Sequence, residues 1–310
     1  MRILFFALAL SVSQSVLAAE KLTVLLDWFI NPDHAQLIIA DRLGYFTDEG
    51  LEVEMIEPAD PSLPPKLVAA RKADIAISYQ PQLHAQVDQG LPLTRFGTLI
   101  STPLNSLVVL KDGPIKSIAD LKGHKVGFSV GGFEEALLGT MLNTHGLSLD
   151  DVELVNVNFS LSPSLITGQV SAVIGAYRNF ELNQMDIEGK HGKAFYPEEE
   201  GVPSFDELIL VTHSDRANDA SLGKFLNAIE KATSYIINHP DDAWELFKLS
   251  NRDTLDNELN QRAWKDTLRR FALRPAALDS RRYNNFARFM LERELISKVP
   301  PLSDYTIVVE

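Results

Sequence analysis

A few short stretches carry the side chains best suited to hold a flat, hydrogen-bonding molecule. They are Asp27-Trp28-Phe29-Ile30-Asn31-Pro32-Asp33-His34, Ser78-Tyr79-Gln80-Pro81-Gln82, Gly131-Gly132-Phe133-Glu134-Glu135 and Ala176-Tyr177-Arg178-Asn179-Phe180-Glu181. An aromatic ring offers a flat apolar wall, and a pair of rings can sandwich a third for about 0.5–1.5 kcal/mol each beyond the area buried. A carboxylate accepts hydrogen bonds and repels anions. Together they favour a heteroaromatic ligand bearing N–H donors. Each residue also has an ordinary structural use. Trp28 suits a core at a domain edge. Asp27 suits a cap, and Asn31 or Asp33 suits the cap of a helix beginning near His34, with Pro32 in its first turn. His34 suits a helix start, Tyr79 and Tyr177 half-buried sheet ends, and Glu181 a solvated helix face. Gly131-Gly132 reads as a strand-to-helix turn or as free N–H groups for a polar ligand atom. The binding reading gains because such residues recur at successive strand ends.

Other chemistries find little support. The 7 histidines include no HExxH and no i,i+4 pair. GxSxG, the Walker lysine motif and a GxGxxG after a strand are all missing. With Cys 0, a disulfide framework, a cysteine nucleophile and thiolate metal sites are excluded.

The elements that must position these residues alternate in type. Lys21–Asp27, Leu51–Ile56, Ala73–Tyr79 and Leu93–Ile100 read as strands. Between them His34–Phe46, Pro64–Lys72 and Pro81–Gln89 read as helices. A second unit begins near Asn105. Its strands are expected at 106–110, 125–130, 152–158 and 172–177, its helices at 115–123, 132–146, 162–168 and 179–187. Asp206–Thr212 is a further strand, and from Ser221 the pattern is helical, packing back on the first unit. This order predicts mostly parallel, helix-covered sheets. In such sheets ligands bind beyond the carboxyl ends of strands, which is where the stretches above fall. Two such units imply a cleft that closes about crossings near Ser101–Asn105 and Pro203–Asp206.

The N-terminus reads differently. Met1-Arg2, the apolar run Ile3–Leu10 and the small residues Val16-Leu17-Ala18 form a signal-peptide pattern over residues 1–18. The run is too short for a membrane span. Cleavage removes Arg2 and no acid, making the mature chain one unit more negative than the formal −13. Without cysteine a lipoprotein anchor is chemically impossible, so a periplasmic location is expected. The excess of Asp+Glu (42) over Lys+Arg (29) argues against a nucleic-acid binder. A length of 310 residues accommodates two domains.

The run LLDWFINPDHAQLIIADRLGYFTDEGLEVE, with ADIAISYQPQL, GGFEEALLGTML and AVIGAYRNFE, resembles the periplasmic substrate-binding proteins of ABC importers for thiamine-pyrimidine precursors. These are bacterial relatives of the fungal pyrimidine-precursor synthases. The resemblance implies a type II periplasmic-binding-protein fold: two α/β lobes with a hinged cleft, lobe I at 19–104 and 206–310, lobe II at 105–205. It implies a monomeric carrier without cofactor that delivers an aminopyrimidine to a membrane permease. Trp28 and Tyr177 would be stacking walls. Asp27 and Glu181 would meet the amino edge, and Asn31, His34, Tyr79 and Asn179 would be polar contacts. Gly131, Gly132 and Phe133 would lie near the exocyclic substituent. Three alternatives stay open, one of them a sensor-domain partner or orphan receptor. Sulfonate, taurine or nitrate carriers share the fold, and Ser129, Gly131 and Gly132 could form an anion nest. The synthases hold pyridoxal phosphate on a lysine, but Ser78 stands where that lysine would fall, and a Schiff base to serine is impossible.

Overall fold

In the computed structural model residues 19–309 are described; the expected signal peptide, 1–18, lies outside them. Short apolar strands with helices between them build the first sheet. They are β1 (Glu20–Leu25), β2 (Leu51–Ile56), β3 (Ile75–Ser78) and β4 (Leu93–Ile100), with α1 (Ala35–Arg42), α2 (Tyr45–Asp48), α3 (Pro64–Ala69) and α4 (Gln80–Asp88) between them. The chain then builds a second sheet from β5 (Asn105–Leu110), β6 (Lys125–Phe128), β7 (Glu153–Asn156), β8 (Ala172–Tyr177) and β9 (Gly192–Phe195). Its helices are α5 (Glu134–Thr144), α6 (Leu161–Ile166) and α7 (Glu181–Ile187). Finally β10 (Leu208–His213) returns to the first sheet. It is followed by α8 (Ala220–Asn238), α9 (Pro240–Ser250), α10 (Arg252–Leu255), α11 (Glu258–Thr267) and α12 (Ser280–Glu292).

Both sheets are five-stranded, ordered β2-β1-β3-β10-β4 and β7-β6-β8-β5-β9. The expectation of mostly parallel pairing holds for β1 with β2 and β3, and for β6 with β7 and β8. It fails where β10 enters the first sheet antiparallel to β3 and β4, and where β5 pairs antiparallel with β8 and β9. The reason is topological. Each of these strands lies next to a crossing between sheets, so it enters from the opposite direction and pairs reversed.

Burial follows the strand and helix periods. In β5, Leu107 and Val109 face one apolar layer with Leu138 and Met141, while Val108 faces the other with Leu165 and Met185. On α8, Leu222, Phe225, Leu226, Ile229, Ala232 and Ile236 are buried at helical spacing, and Phe225 stacks on Phe46 at 5.0 Å. The helical tail does pack on the first sheet, with α8 and α9 against α1, but α11 also meets α7 of the second. Gly97 of β4 permits the close seating of α8. A Cβ there would lie 2.7 Å from Leu226 Cδ2 and 2.9 Å from Leu210 Cδ1. Gly97→Ala is therefore expected to lower stability by about 1–3 kcal/mol through overpacking. Denaturant unfolding checks this, and an unchanged midpoint would contradict it.

Candidate functional site

The carboxyl ends of β1, β3, β6 and β8 converge where the sheets meet. A cavity of about 30 Å3 lies there, lined by residues that include Asp27, Trp28, Asn31, Tyr79, Phe133, Tyr177 and Glu181. That is room for about one or two waters, so a six-membered ring enters only when the walls part. Tyr79 and Phe133 stack across the seam with centroids 4.8 Å apart. Trp28 meets Phe159 edge-on at 4.7 Å. The Tyr177 hydroxyl has no hydrogen-bond partner among the described residues.

Asp27 is fixed on both oxygens. Asn31 N–H donates to His34 Nδ1 (3.2 Å), so the proton of the neutral ring sits on Nε2 and is donated to Asp27 Oδ1 (2.9 Å). Tyr79 donates its O–H to Asp27 Oδ2 (2.9 Å). Each oxygen keeps a lone pair for a further donor. His34 therefore positions Asp27 and does not line the cavity. Asn31 lines it and also caps the turn at Pro32–His34, accepting from Asp33 N–H (2.8 Å).

Asn179 is engaged elsewhere. Its Nδ2 donates to Asp33 Oδ1 and to Thr267 Oγ1, both at 2.7 Å, tying β8's end to α11 and to the turn after β1. Gly131 and Gly132 also stand outside the lining. The Gly131 N–H donates to Ser62 Oγ (3.3 Å) and the Gly132 N–H to Glu135 Oε2 (2.6 Å). The free N–H groups that a nest needs are thus occupied. Ser78 is buried, and its hydroxyl donates to Gln82 Oε1 (2.8 Å).

Residues outside the sequence-derived set also line the cavity: Val130, Glu134, Leu161, Gly175 and Phe180. Glu134 is 3% exposed. Its position depends on Gly175, which has φ +98° at a β-bulge between β5 and β8. A Cβ on Gly175 would overlap the Glu134 carboxyl group. Gly175 stands alone inside a strand, a place where a glycine marks a bulge or a close approach.

The seam is acidic. Burial pushes the Glu134 carboxyl well above the ordinary range against the pull of Ser129 and Val130 N–H. Burial raises Asp33 to about 6, opposed by hydrogen bonds from Asn179 and Thr267. It raises Glu181 to about 7 despite the N–H of Tyr177, and Glu207 to about 7 despite the N–H groups of Asn105 and Leu104. Glu207 Oε2 accepts those two bonds at 3.0 and 2.5 Å, fastening the crossing at 101–105 to the one entering β10. A carboxyl raised from 4.5 to about 7 on folding holds its proton in the folded chain after the unfolded chain has released it. Its contribution is full below pH 4.5 and fades as pH rises towards 7. Glu207→Gln cannot titrate, so its melting temperature should fall less steeply than the wild type's across that window. Equal slopes would contradict the assignment.

Comparison with known proteins places this geometry. The family model described as NMT1/THI5 like matches residues 31–243. A Haemophilus influenzae protein named as a thiamine biosynthesis protein is 55% identical over 98% of this chain and 97% of its own. The formylaminopyrimidine-binding protein of Halalkalibacterium halodurans is 32% identical over 81% of this chain and 76% of its own. A 4-amino-5-hydroxymethyl-2-methylpyrimidine phosphate synthase from Aspergillus parasiticus is 28% identical over 74% and 70%. In fold, the alkanesulfonate-binding protein of Xanthomonas axonopodis pv. citri superposes with TM-score 0.73 at 14% identity, covering 94% of this chain and 99% of that one. The chain has a periplasmic-binding-protein fold and belongs to the NMT1/THI5-like family.

Proposed function

We propose that this protein is the solute-binding component of an ABC importer, taking an aminopyrimidine thiamine precursor into the seam between its lobes and presenting it to a membrane permease. Lobe I is 19–104 with 206–310, lobe II is 105–205, and the signal peptide 1–18 directs the chain to the periplasm. One observation carries the reading. The cavity lining holds Asp27, Glu134 and Glu181 among aromatic walls and no Lys, Arg or His. Such a lining suits a flat ring with N–H donors and opposes an anion. Trp28 and Tyr177 are the walls, and Asp27 and Glu181 are the acceptors for the amino edge. The relative named as a formylaminopyrimidine-binding protein supports the same class of ligand.

Opening of the lobes admits the ring, and closure brings both walls onto it. The closed form gains population by its extra contacts with the ligand. A micromolar to nanomolar carrier corresponds to about −8 to −12 kcal/mol. A sulfonate carrier is opposed by the acids. A pyridoxal-dependent synthase is opposed by Ser78, which can form no Schiff base.

Calorimetry with 4-amino-5-hydroxymethyl-2-methylpyrimidine and with taurine tests the reading: the pyrimidine binds and taurine does not. Trp28→Ala weakens pyrimidine binding tenfold or more with little change in melting temperature. Binding of taurine alone, or undiminished affinity in Trp28→Ala, would contradict the proposal.

A further inference from the structure

The loop 129–132 leads from β6 into α5, a helix of 11 residues. Successive backbone N–H groups in a loop that leads from a strand into a helix are an ordinary place for a phosphate or sulfonate to bind. Here the chain fills that position with its own oxygens. Ser129 N–H (2.8 Å) and Val130 N–H (3.1 Å) both donate to Glu134 Oε2. Gly131 and Gly132 N–H are taken by Ser62 and Glu135, as described above. Glu134 can fold back in this way because Gly175 leaves the room that a side chain would fill. It also lines the cavity.

We propose that Glu134 is a specificity-determining residue that occupies the Ser129 and Val130 N–H groups of the loop before α5 and so restricts the cavity to ligands without a phosphate or sulfonate group. The block holds in both protonation states. Oε2 accepts the same two N–H bonds whether Oε1 is charged or carries a proton. An incoming phosphate would have to displace Glu134 from both donors and bury its own charge beside Asp27 and Glu181. The proposal rests on the aminopyrimidine reading for the identity of the ring. The exclusion of anions rests on the Glu134 contacts, to which Asp27 and Glu181 add, and does not depend on the identity of the ring.

The test compares 4-amino-5-hydroxymethyl-2-methylpyrimidine with its phosphate monoester by calorimetry on the mature chain. Wild type is expected to bind the alcohol at least a hundredfold more tightly than the ester. In Glu134→Ala the vacated N–H groups become available, and the difference narrows to less than tenfold through a gain in ester binding. Glu134→Gln keeps an oxygen on the same donors, so its preference for the alcohol over the ester stays at least a hundredfold, whatever its affinity for the alcohol. An ester bound as tightly as the alcohol by wild type overturns the proposal and needs no variant. So does a folded Glu134→Ala that still rejects the ester. If wild type binds neither pyrimidine, the ligand reading fails, and methanesulfonate then tests Glu134 separately. A thermal stabilisation of Glu134→Ala that wild type lacks supports the block, and equal responses overturn it.

Discussion

A carboxyl group taken out of water needs donors, and the seam between the two sheets buries Asp27, Asp33, Glu134, Glu181 and Glu207. Leaving even one unpaired would cost several kcal/mol. Much of the local architecture answers that demand. His34 and Tyr79 clamp Asp27. Asn179 and Thr267 serve Asp33 from opposite sides of the seam. Backbone N–H groups serve the glutamates: Tyr177 for Glu181, Ser129 and Val130 for Glu134, Leu104 and Asn105 for Glu207. The Asp33 pair crosses between the units, so separating the sheets exposes or unpairs acids as well as apolar surface.

The same constraint shapes the recognition we propose. Three carboxyl groups, those of Asp27, Glu134 and Glu181, line the cavity, and no basic side chain does. A ligand that brings N–H groups completes the hydrogen bonding, whereas one that brings negative charge worsens it. Fold neighbours such as the alkanesulfonate-binding protein share the scaffold, so the scaffold does not select the ligand. The side chains at the strand ends do.

Much of this was legible in the sequence because strand ends follow from hydrophobic period. Asp27, Trp28, Tyr79, Phe133, Tyr177 and Glu181 stand at or just beyond the ends of predicted strands, and all line the cavity. What escaped depends on tertiary neighbours. Glu134 and Glu135 look like ordinary acids in the first turn of a helix, and only the fold turns Glu134 inward over Gly175. Asn179 and His34 read as ligand contacts by position, yet in the structure they bond to Asp33 and Asp27. The strand β9 is four residues with a glycine and a lysine, too short and too polar to register as a period. The reversed entry of β10 depends on where the crossings run, which no local pattern encodes.

The most direct measurement of the central claim is mass spectrometry of the small molecule released on denaturing protein purified from cells grown in complex medium. The account predicts a non-phosphorylated aminopyrimidine, present in near-stoichiometric amount. Release of a sulfonate, a phosphorylated compound or pyridoxal phosphate would contradict it.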